Sequence, residues 1–401
     1  MSDWHSTTLQ EIISTIESGS RPKGGVRIGD NSEGVPSYGG ENISMNGGML
    51  YDSVRMVPTN FATEMRRGVL SDKDVLINKD GANTGKSGIY RKPAGEEFAT
   101  INEHLFLLRC NKDIAEQEFL YHFLNSEFGK SQIARVITGS AQPGLNSTFP
   151  EFVRIDLPPL PEQKKIAEIL SGIDKAINKI LEAIAKSETT LTGVFANLDL
   201  IASSGKTATL GEVVRVQNGY AFQSSIFSED PTDIPLVRIS NISGGGVDIS
   251  KSKRIPRGLA PSDEYKVNRG DILIAMSGAT TGKIGKYQGD SFCLLNQRVG
   301  KFVFRPGSDS AAYATQLLLS GFLESRILAK AAGGAQPNIS GKGIEDIDIP
   351  FPDAADQEKY GSAIKELLRV NSRRRILVEK YQHLKASISS DLLSGRKRVC
   401  I

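Results

Sequence analysis

The sequence predicts an α+β chain. Two similar mixed α/β domains are separated by two long helices that form an antiparallel coiled coil, and the whole carries an internal pseudo-twofold repeat. Three observations predict this. A heptad pattern of apolar residues runs from Leu157 to Leu198, and a second, interrupted one follows Pro352. Between and around them, the chain repeats itself once at a period of about 195–200 residues. The domain boundaries follow: a first domain over 1–156, a helix over 157–202, a second domain over 203–350 and a second helix over 351–401.

The first domain reads as mostly β. Short runs of branched apolar residues, Val75-Leu-Ile and Leu105–Leu108, are bounded by Gly and Asn clusters, which is the pattern of strands between turns. A helical segment, Glu116–Lys130, lies near its end.

The first long helix starts after Leu157-Pro-Pro-Leu-Pro. Pro158, Pro159 and Pro161 lack backbone donors and fix φ, so they cannot lie inside a helix. Pro161 suits a first turn, and Glu162 then sits near the positive end of the helix dipole. Ile166, Ile173, Ile180 and Val194 fall on one heptad position, and Leu170, Ile177, Ile184, Leu191 and Leu198 on the other. Ser187 is the single polar break. A repeat held for more than four heptads marks a coiled-coil seam, and some 37 helical residues would span roughly 55 Å.

Ser203-Ser-Gly-Lys206 breaks the chain before the second domain, which repeats the first. Thr8-Leu9-Gln-Glu11 matches Thr209-Leu210-Gly-Glu212. Val35-Pro36 with Asn42-Ile43 matches Ile234-Pro235 with Asn241-Ile242. Lys73-Asp74-Val-Leu-Ile matches Gly270-Asp271-Ile-Leu-Ile. Gly81-Ala-Asn-Thr-Gly85-Lys86 matches Gly278-Ala-Thr-Thr-Gly282-Lys283, and Asn102-Glu103 matches Asn296-Gln297. Ala141-Gln142-Pro143 matches Ala335-Gln336-Pro337, and Arg154-Ile-Asp-Leu-Pro158 matches Asp346-Ile-Asp-Ile-Pro350. Ile272–Ala275 and Val299–Phe304 read as strands and Ala311–Ala331 as helix. In the second long helix Asp353 is the N-cap. Tyr360, Ile364 and Leu367 start its seam; Val378, Tyr381, Ile388 and Leu392 resume it. Asn371-Ser-Arg-Arg-Arg375 interrupts it, as polar residues do where register is fixed.

Composition narrows the function. An apolar share of 39% and a charged share of 24% fit a soluble globular protein. The net charge of +3 points to no partner by itself. Cys110, Cys293 and Cys400 are scattered, which argues for a reducing, cytoplasmic setting. Neither a signal peptide nor a membrane span is expected. The P-loop pattern fails, because Asp80 stands where its first glycine belongs and Ser277 fills the repeat position. His5, His104, His122 and His383 lack metal-ligand spacing. No methyltransferase or nuclease signature is present, so no catalytic residue is assigned. Two similar domains held apart by a rod suit two separated elements on one polymer, and a pseudo-twofold protein matches the twofold of double-stranded DNA.

The chain resembles the specificity (S) subunit of type I restriction-modification enzymes. The motifs that carry the likeness are Leu157-Pro-Pro-Leu-Pro-Glu-Gln-Lys-Lys-Ile-Ala, the Gly278–Lys283 loop and Gly334-Ala-Gln-Pro-Asn-Ile-Ser340. The resemblance spans essentially the whole chain. The second helix departs from it: Phe351-Pro-Asp-Ala-Ala-Asp-Gln-Glu keeps Gln357 but lacks the double proline. The resemblance implies two target recognition domains, each reading half of a bipartite site. It implies helices that space the halves and dock two methyltransferase (modification) subunits, with restriction/translocase subunits joining the full complex. S-adenosylmethionine, ATP and Mg are then expected on the partner subunits, with none in this chain, and adenine is the implied methylation target. The alternative is a non-DNA coiled-coil scaffold with two peptide- or glycan-binding modules.

Charge and side-chain chemistry nominate the DNA contacts. Arg21, Lys23, Lys86, Lys283, Arg298 and Lys342 suit phosphates. Gln142, Asn146, Gln297, Gln336 and Asn338 suit base edges. The alternative role for each is to stabilise a turn. Partner docking and the coiled coil are assigned to Ile166, Leu170, Ile173, Ile177, Ile180, Ile184 and Leu191, and to Ile364, Leu367, Val378, Tyr381 and Ile388. The stretches Ser44–Arg66 and Gly244–Val267 differ most between the halves and are candidates for reading different half-sites.

Overall fold

The computed structural model describes residues 4–23, 34–44, 47–139, 143–307, 309–331 and 337–400. The chain divides into two compact units, one of residues 1–181 with 377–401, the other of residues 182–376. Each unit is built in the same way. In the first, Ile13–Ser18, Leu105–Cys110, Val75–Asn78 and Ser87–Ile89 form an antiparallel four-stranded sheet. Arg55–Val57, Val35–Tyr38 and Thr100–Ile101 form a three-stranded one, with Val35–Tyr38 parallel to Thr100–Ile101. In the second unit, Val214–Asn218, Val299–Phe304, Ile272–Ala275 and Ile284–Lys286 repeat the first sheet, which gains Gly245–Val247 and Ile242–Ser243. Arg254–Ile255, Ile234–Val237, Cys293–Leu295 and Lys266–Val267 form the other. Of the added strands, Gly245–Val247 falls in the stretch where the two sequence halves diverge, and Ile242–Ser243 leads into it.

All four predicted strands form. The segments expected as single helices do not stay whole. Glu116–Lys130 is two helices, Gln117–Asn125 and Glu127–Val136. Ser126 is extended there, and its hydroxyl accepts the Gly129 N–H at 3.0 Å, capping the second helix. Ala311–Ala331 is likewise split into Ala311–Leu319 and Glu324–Ala331, around Gly321 at φ +81°. The apolar periodicity runs through both breaks and outweighed the local signals, Asn125-Ser126 and Ser320-Gly321.

The first long helix spans Leu160–Ser203 and the second Ala354–Leu393. Asp353 caps the second, accepting the Asp356 N–H at 3.0 Å. Gln163 and Gln357 play one role at the two helix starts: each donates from Nε2, at 2.8 Å, to the carbonyl of Pro158 or Pro352. Every seam residue assigned on the first helix is buried or half-buried, and so are Ile364, Leu367, Val378, Tyr381 and Ile388 on the second.

Within each unit the helices pair antiparallel. In the first, Glu162 meets Arg398 and Asp174 meets Lys385. In the second, Glu188 meets Arg375, and Leu198 and Ile364 share one core. The two polar breaks of the seams also meet here. Arg374 Nη1 donates to the Ala183 carbonyl at 2.9 Å, to Ser187 Oγ at 2.6 Å and to Asn371 Oδ1 at 3.4 Å. Asn371 is buried, so this cluster fixes register: any slip would leave polar groups unpaired.

The first unit holds its helices with a polar network. Arg398 forms a two-pronged pair with Glu162, at 2.6 and 2.7 Å, and Trp4 Nε1 donates to the same carboxylate at 3.2 Å. Ser171 on the first long helix donates to Glu118 at 2.9 Å, which leaves its oxygen to accept from His122 Nε2 at 2.9 Å. Arg91 and Lys73 reach Glu118 at 2.8 and 3.0 Å. Burial alone would raise the Glu118 carboxyl, but hydrogen bonds from Arg91, Lys73 and Ser171 outweigh it and hold it down at about 2. Burial, then the Lys385 charge, pushes the His122 imidazole down to about 3. The second unit packs the same region with Leu191, Val194, Phe195 and Leu198 against Tyr313, Phe322, Tyr360, Ile364 and Leu368.

Candidate nucleic-acid interface

In each unit, sequence-distant loops converge beside the sheets. The glycine loop comes first. In the first unit Gly81–Asn83 is a 3-10 turn, with Gly81 at φ +77° and Gly85 at φ +84°. In the second, Gly278–Thr280 is the same turn, with Gly278 at +77° and Gly282 at +85°. Only glycine takes such φ values freely, which explains the shared spacing. The proline segment docks on this loop in both units. Thr84 Oγ1 donates to the carbonyls of Gly81 (2.6 Å) and Pro143 (3.0 Å), and the Gly81 N–H reaches Pro143 O at 3.2 Å. Thr281 Oγ1 donates to Gly278 (2.7 Å) and Pro337 (3.0 Å), and the Gly278 N–H reaches Pro337 O at 3.1 Å. Two motifs that recur in the sequence are thus one structure, built twice.

Two further loops close against it. The Lys79 N–H bonds the His104 carbonyl at 2.9 Å, and the Met276 N–H bonds Arg298 O at 3.0 Å. The 3-10 turns Gly40–Asn42 and Ile239–Asn241 begin alike, with the N–H of Gly39 or Arg238 donating to Oδ1 of Asn42 or Asn241 at 2.9 Å. Thr280 Oγ1 ties the second of these turns to its glycine loop through the Ile239 carbonyl at 3.2 Å.

The candidate contact residues fare differently. In the second unit Arg298 and Asn338 flank neighbouring residues, Arg298 through Met276 and Asn338 through its bridge to Ser277. Both are exposed, as is Gln297. Lys283 closes the glycine loop, but its Nζ is 2.6 Å from Glu324 Oε1. Lys342 lies in the helix Gly341–Glu345, paired with Asp346 at 2.8 Å. In the first unit Lys86, half-buried, has no side-chain hydrogen bond or ion pair among the described residues. Arg21 pairs with Glu103 at 3.2 Å. Lys23 is exposed at the last described position before residue 24. Asn146 is exposed, and its Oδ1 accepts from Ser147 Oγ at 3.3 Å and the Thr148 N–H at 3.4 Å, a turn-stabilising arrangement. Gln142 and Gln336 lie outside the described residues. Tyr220 is exposed and Phe222 buried.

Sequence reasoning passed over two features. His104 is held between carboxylates, with Nδ1 2.6 Å from Asp80 and Nε2 3.4 Å from Glu103. Arg238, half-buried, occupies the place of Gly39. Comparing the repeats one position at a time, rather than by shared motifs, would have flagged both. Among the described residues no three His, Cys, Asp or Glu side chains are grouped to hold a metal ion, and no helix is long and apolar enough to cross a membrane.

Comparison with known proteins bears on both units. The sequence model of the type I restriction modification DNA specificity domain matches residues 1–186 and again 204–380. The type I restriction enzyme MjaVIII specificity subunit of Methanocaldococcus jannaschii is 25% identical over 421 aligned positions, covering 99% of this chain and 93% of that protein. The putative type I restriction enzyme MjaX specificity subunit of the same organism is 25% identical over 427, covering 99% and 94%. The crystal structure of the type I restriction-modification S subunit from M. genitalium shares the fold, with a TM-score of 0.64 at 14% identity over 98% of this chain and 96% of that one.

Proposed function

We propose that this chain, which belongs to the type I restriction modification DNA specificity family, reads the two halves of a bipartite, gapped DNA site, one half with each unit. A chain of this family supplies DNA sequence specificity and is not catalytic by itself. The observation that carries the finer reading is the loop platform built twice, with a shared backbone frame and different side chains. A shared frame presents each half-site in the same manner, and different side chains make the halves unlike. Phosphate contacts would come from Lys86, Arg21 and Lys23 in the first unit, and base contacts from Gln297 and Asn338 in the second, where Arg298, assigned to phosphate from its charge, joins them because its exposed fork is unpaired beside Gln297. The paired helices would set the gap and dock two modification subunits, with restriction/translocase subunits completing the complex. S-adenosylmethionine, ATP and Mg would be bound by those partners. No observation favours the scaffold with peptide- or glycan-binding modules.

Methylome sequencing of a host with and without this gene tests the proposal. The expected result is loss of adenine methylation at one asymmetric, gapped motif. An unchanged methylome sinks it. Inserting one heptad in both helices lengthens the pair by about 10 Å, or roughly three base pairs, and the gap should widen accordingly.

A further inference from the structure

The two platforms differ most sharply at two matched places. Where the first unit has Gly39, the second has Arg238; where the first has His104, the second has Arg298. Their surroundings differ too. In the first unit Asp80 and Glu103 clamp the His104 ring. Ser277 and Gln297 replace those two acids in the second unit, so neither matched carboxylate is there to neutralise Arg298. The Arg298 side chain is exposed and has no hydrogen bond or ion pair among the described residues.

The second difference is an unfinished hydrogen-bond pattern. Arg238 follows the strand Ile234–Val237, and Asn296 follows its parallel neighbour Cys293–Leu295, so the two residues leave the sheet side by side. Arg238 Nε is buried and without a partner, and so is Asn296 Oδ1. In the first unit the matching Asn102 Oδ1 is satisfied, accepting the His104 N–H at 2.9 Å. A buried polar atom left unpaired costs free energy, and native proteins leave few of them. Two such atoms, on residues that leave neighbouring strands side by side and next to the unpaired Arg298, mark a place where a ligand completes the hydrogen bonding.

The chemistry of that ligand is constrained. A guanidinium presents a planar fork of donors and accepts nothing. In the major groove, the edge that offers two acceptors to such a fork is guanine, through O6 and N7, and the cytosine paired with it carries the N4 donor that the Asn296 oxygen lacks. We propose that Arg298 and Arg238 are specificity-determining residues, and that the half-site read by the second unit contains guanine recognised through them. The half-site read by the first unit lacks this pair of contacts, because Gly39 has no side chain and His104 is held by its own acids. This rests on the DNA-reading function proposed above.

The test is selection of duplexes from a randomised library by the full chain in complex with its modification subunits. The unaltered complex should select a gapped motif with guanine in one half. Arg298→Ala should lower discrimination at one guanine about ten- to a hundredfold and leave the other half unchanged. Arg298→Lys keeps the charge and loses the fork, so it should relax the same position. Arg238→Ala should relax a guanine in that same half. Arg298 is exposed, so its variants keep the fold, and an unchanged melting temperature checks this. Three results overturn the inference while leaving the function standing: a motif that neither arginine changes, relaxation at a base other than guanine, or a uniform loss of affinity with the motif intact, which is the mark of a phosphate contact. A complex that selects no sequence at all overturns the function, and the inference with it.

Discussion

The two units are copies that keep the same backbone by different means. Where the first unit meets its helix pair it adds charge and hydrogen bonds, through Glu162–Arg398, Glu118–Ser171–His122 and Asp174–Lys385, to an apolar core that includes Ile166, Leu170 and Leu392. In the second unit the corresponding contact is apolar, with Leu198, Ile364, Tyr313 and Phe322 at its centre. In its ion pair from the first helix to the globular part, Asp199 with Arg326, the carboxylate is half exposed while the guanidinium lies over the Phe322 ring. A strand order and a loop frame can therefore survive duplication while the interactions beneath them are exchanged. Asp174 and Lys385 show how: the second unit has Leu368 and Leu191 at the matching positions, so both members of the pair are exchanged together. That exchange is close to neutral, whereas removal of one member is not.

The comparison is broken most severely at Arg398. Glu162 is 1% exposed and depends on this guanidinium. Arg398→Met leaves the carboxylate buried without its counter-charge, and about 3 kcal/mol of stability should be lost from the first unit. Asp199→Ala in the second unit removes a half-exposed carboxylate and leaves Arg326 on the Phe322 ring and carbonyl, and less than about 1 kcal/mol should change. Denaturant titration of both variants, with hydrogen exchange resolved by unit, checks the contrast. Equal losses would show that the two units are not held differently.

The next effect is in pH. The His122 imidazole is pushed from 6.5 down to about 3, so the folded unit refuses a proton that the unfolded chain takes up near 6.5. Stability is unaffected by this group above that value and falls as pH drops from about 6.5 towards 3, with a slope approaching 1.4 kcal/mol per pH unit. Glu118 adds to it lower down. Its carboxyl is lowered from 4.5 to about 2, so its contribution is complete above 4.5 and is lost as pH falls through 2. In the second unit Gln316 takes the place of His122, in the matching nine-residue helix, and does not titrate. Between pH 7.5 and 5 the first unit should lose protection against hydrogen exchange while the second keeps it. His122→Asn should flatten the difference. A His122→Asn protein with the same pH slope would remove the histidine from the explanation.

The architecture was legible because duplication and heptads leave periodic traces. Gly81, Gly85, Gly278 and Gly282 could be paired by spacing alone, and their positive φ angles give the physical reason. Ser187 and Asn371–Arg375 could be recognised as breaks from the apolar pattern, though not as partners of each other. The helix break at Ser126 was hidden, because it depends on a side-chain cap inside a run whose apolar periodicity continues on both sides. The buried network around Glu118 was hidden for a different reason. Its members come from four separate stretches of chain, and no local pattern announces that Ser171 will face His122. Among the proposed contacts, residue type was readable but freedom was not: Lys283 and Lys86 look alike in sequence and are unlike in structure.

That last pair gives the smallest and cleanest test. Lys283 is already 2.6 Å from Glu324, whereas Lys86 has no ion pair among the described residues. A lysine that neutralises a phosphate releases counterions, so its removal lowers the salt dependence of binding by about one unit of slope. Lys86→Ala should weaken binding of the complex to cognate and random duplex alike and reduce that slope. Lys283→Ala should leave the slope unchanged and cost the second unit under about 1 kcal/mol, the worth of a partly exposed pair. Binding isotherms across a salt series separate the two. If both variants shift the slope equally, Glu324 does not hold Lys283 away from DNA, and the two glycine loops are functional equals after all.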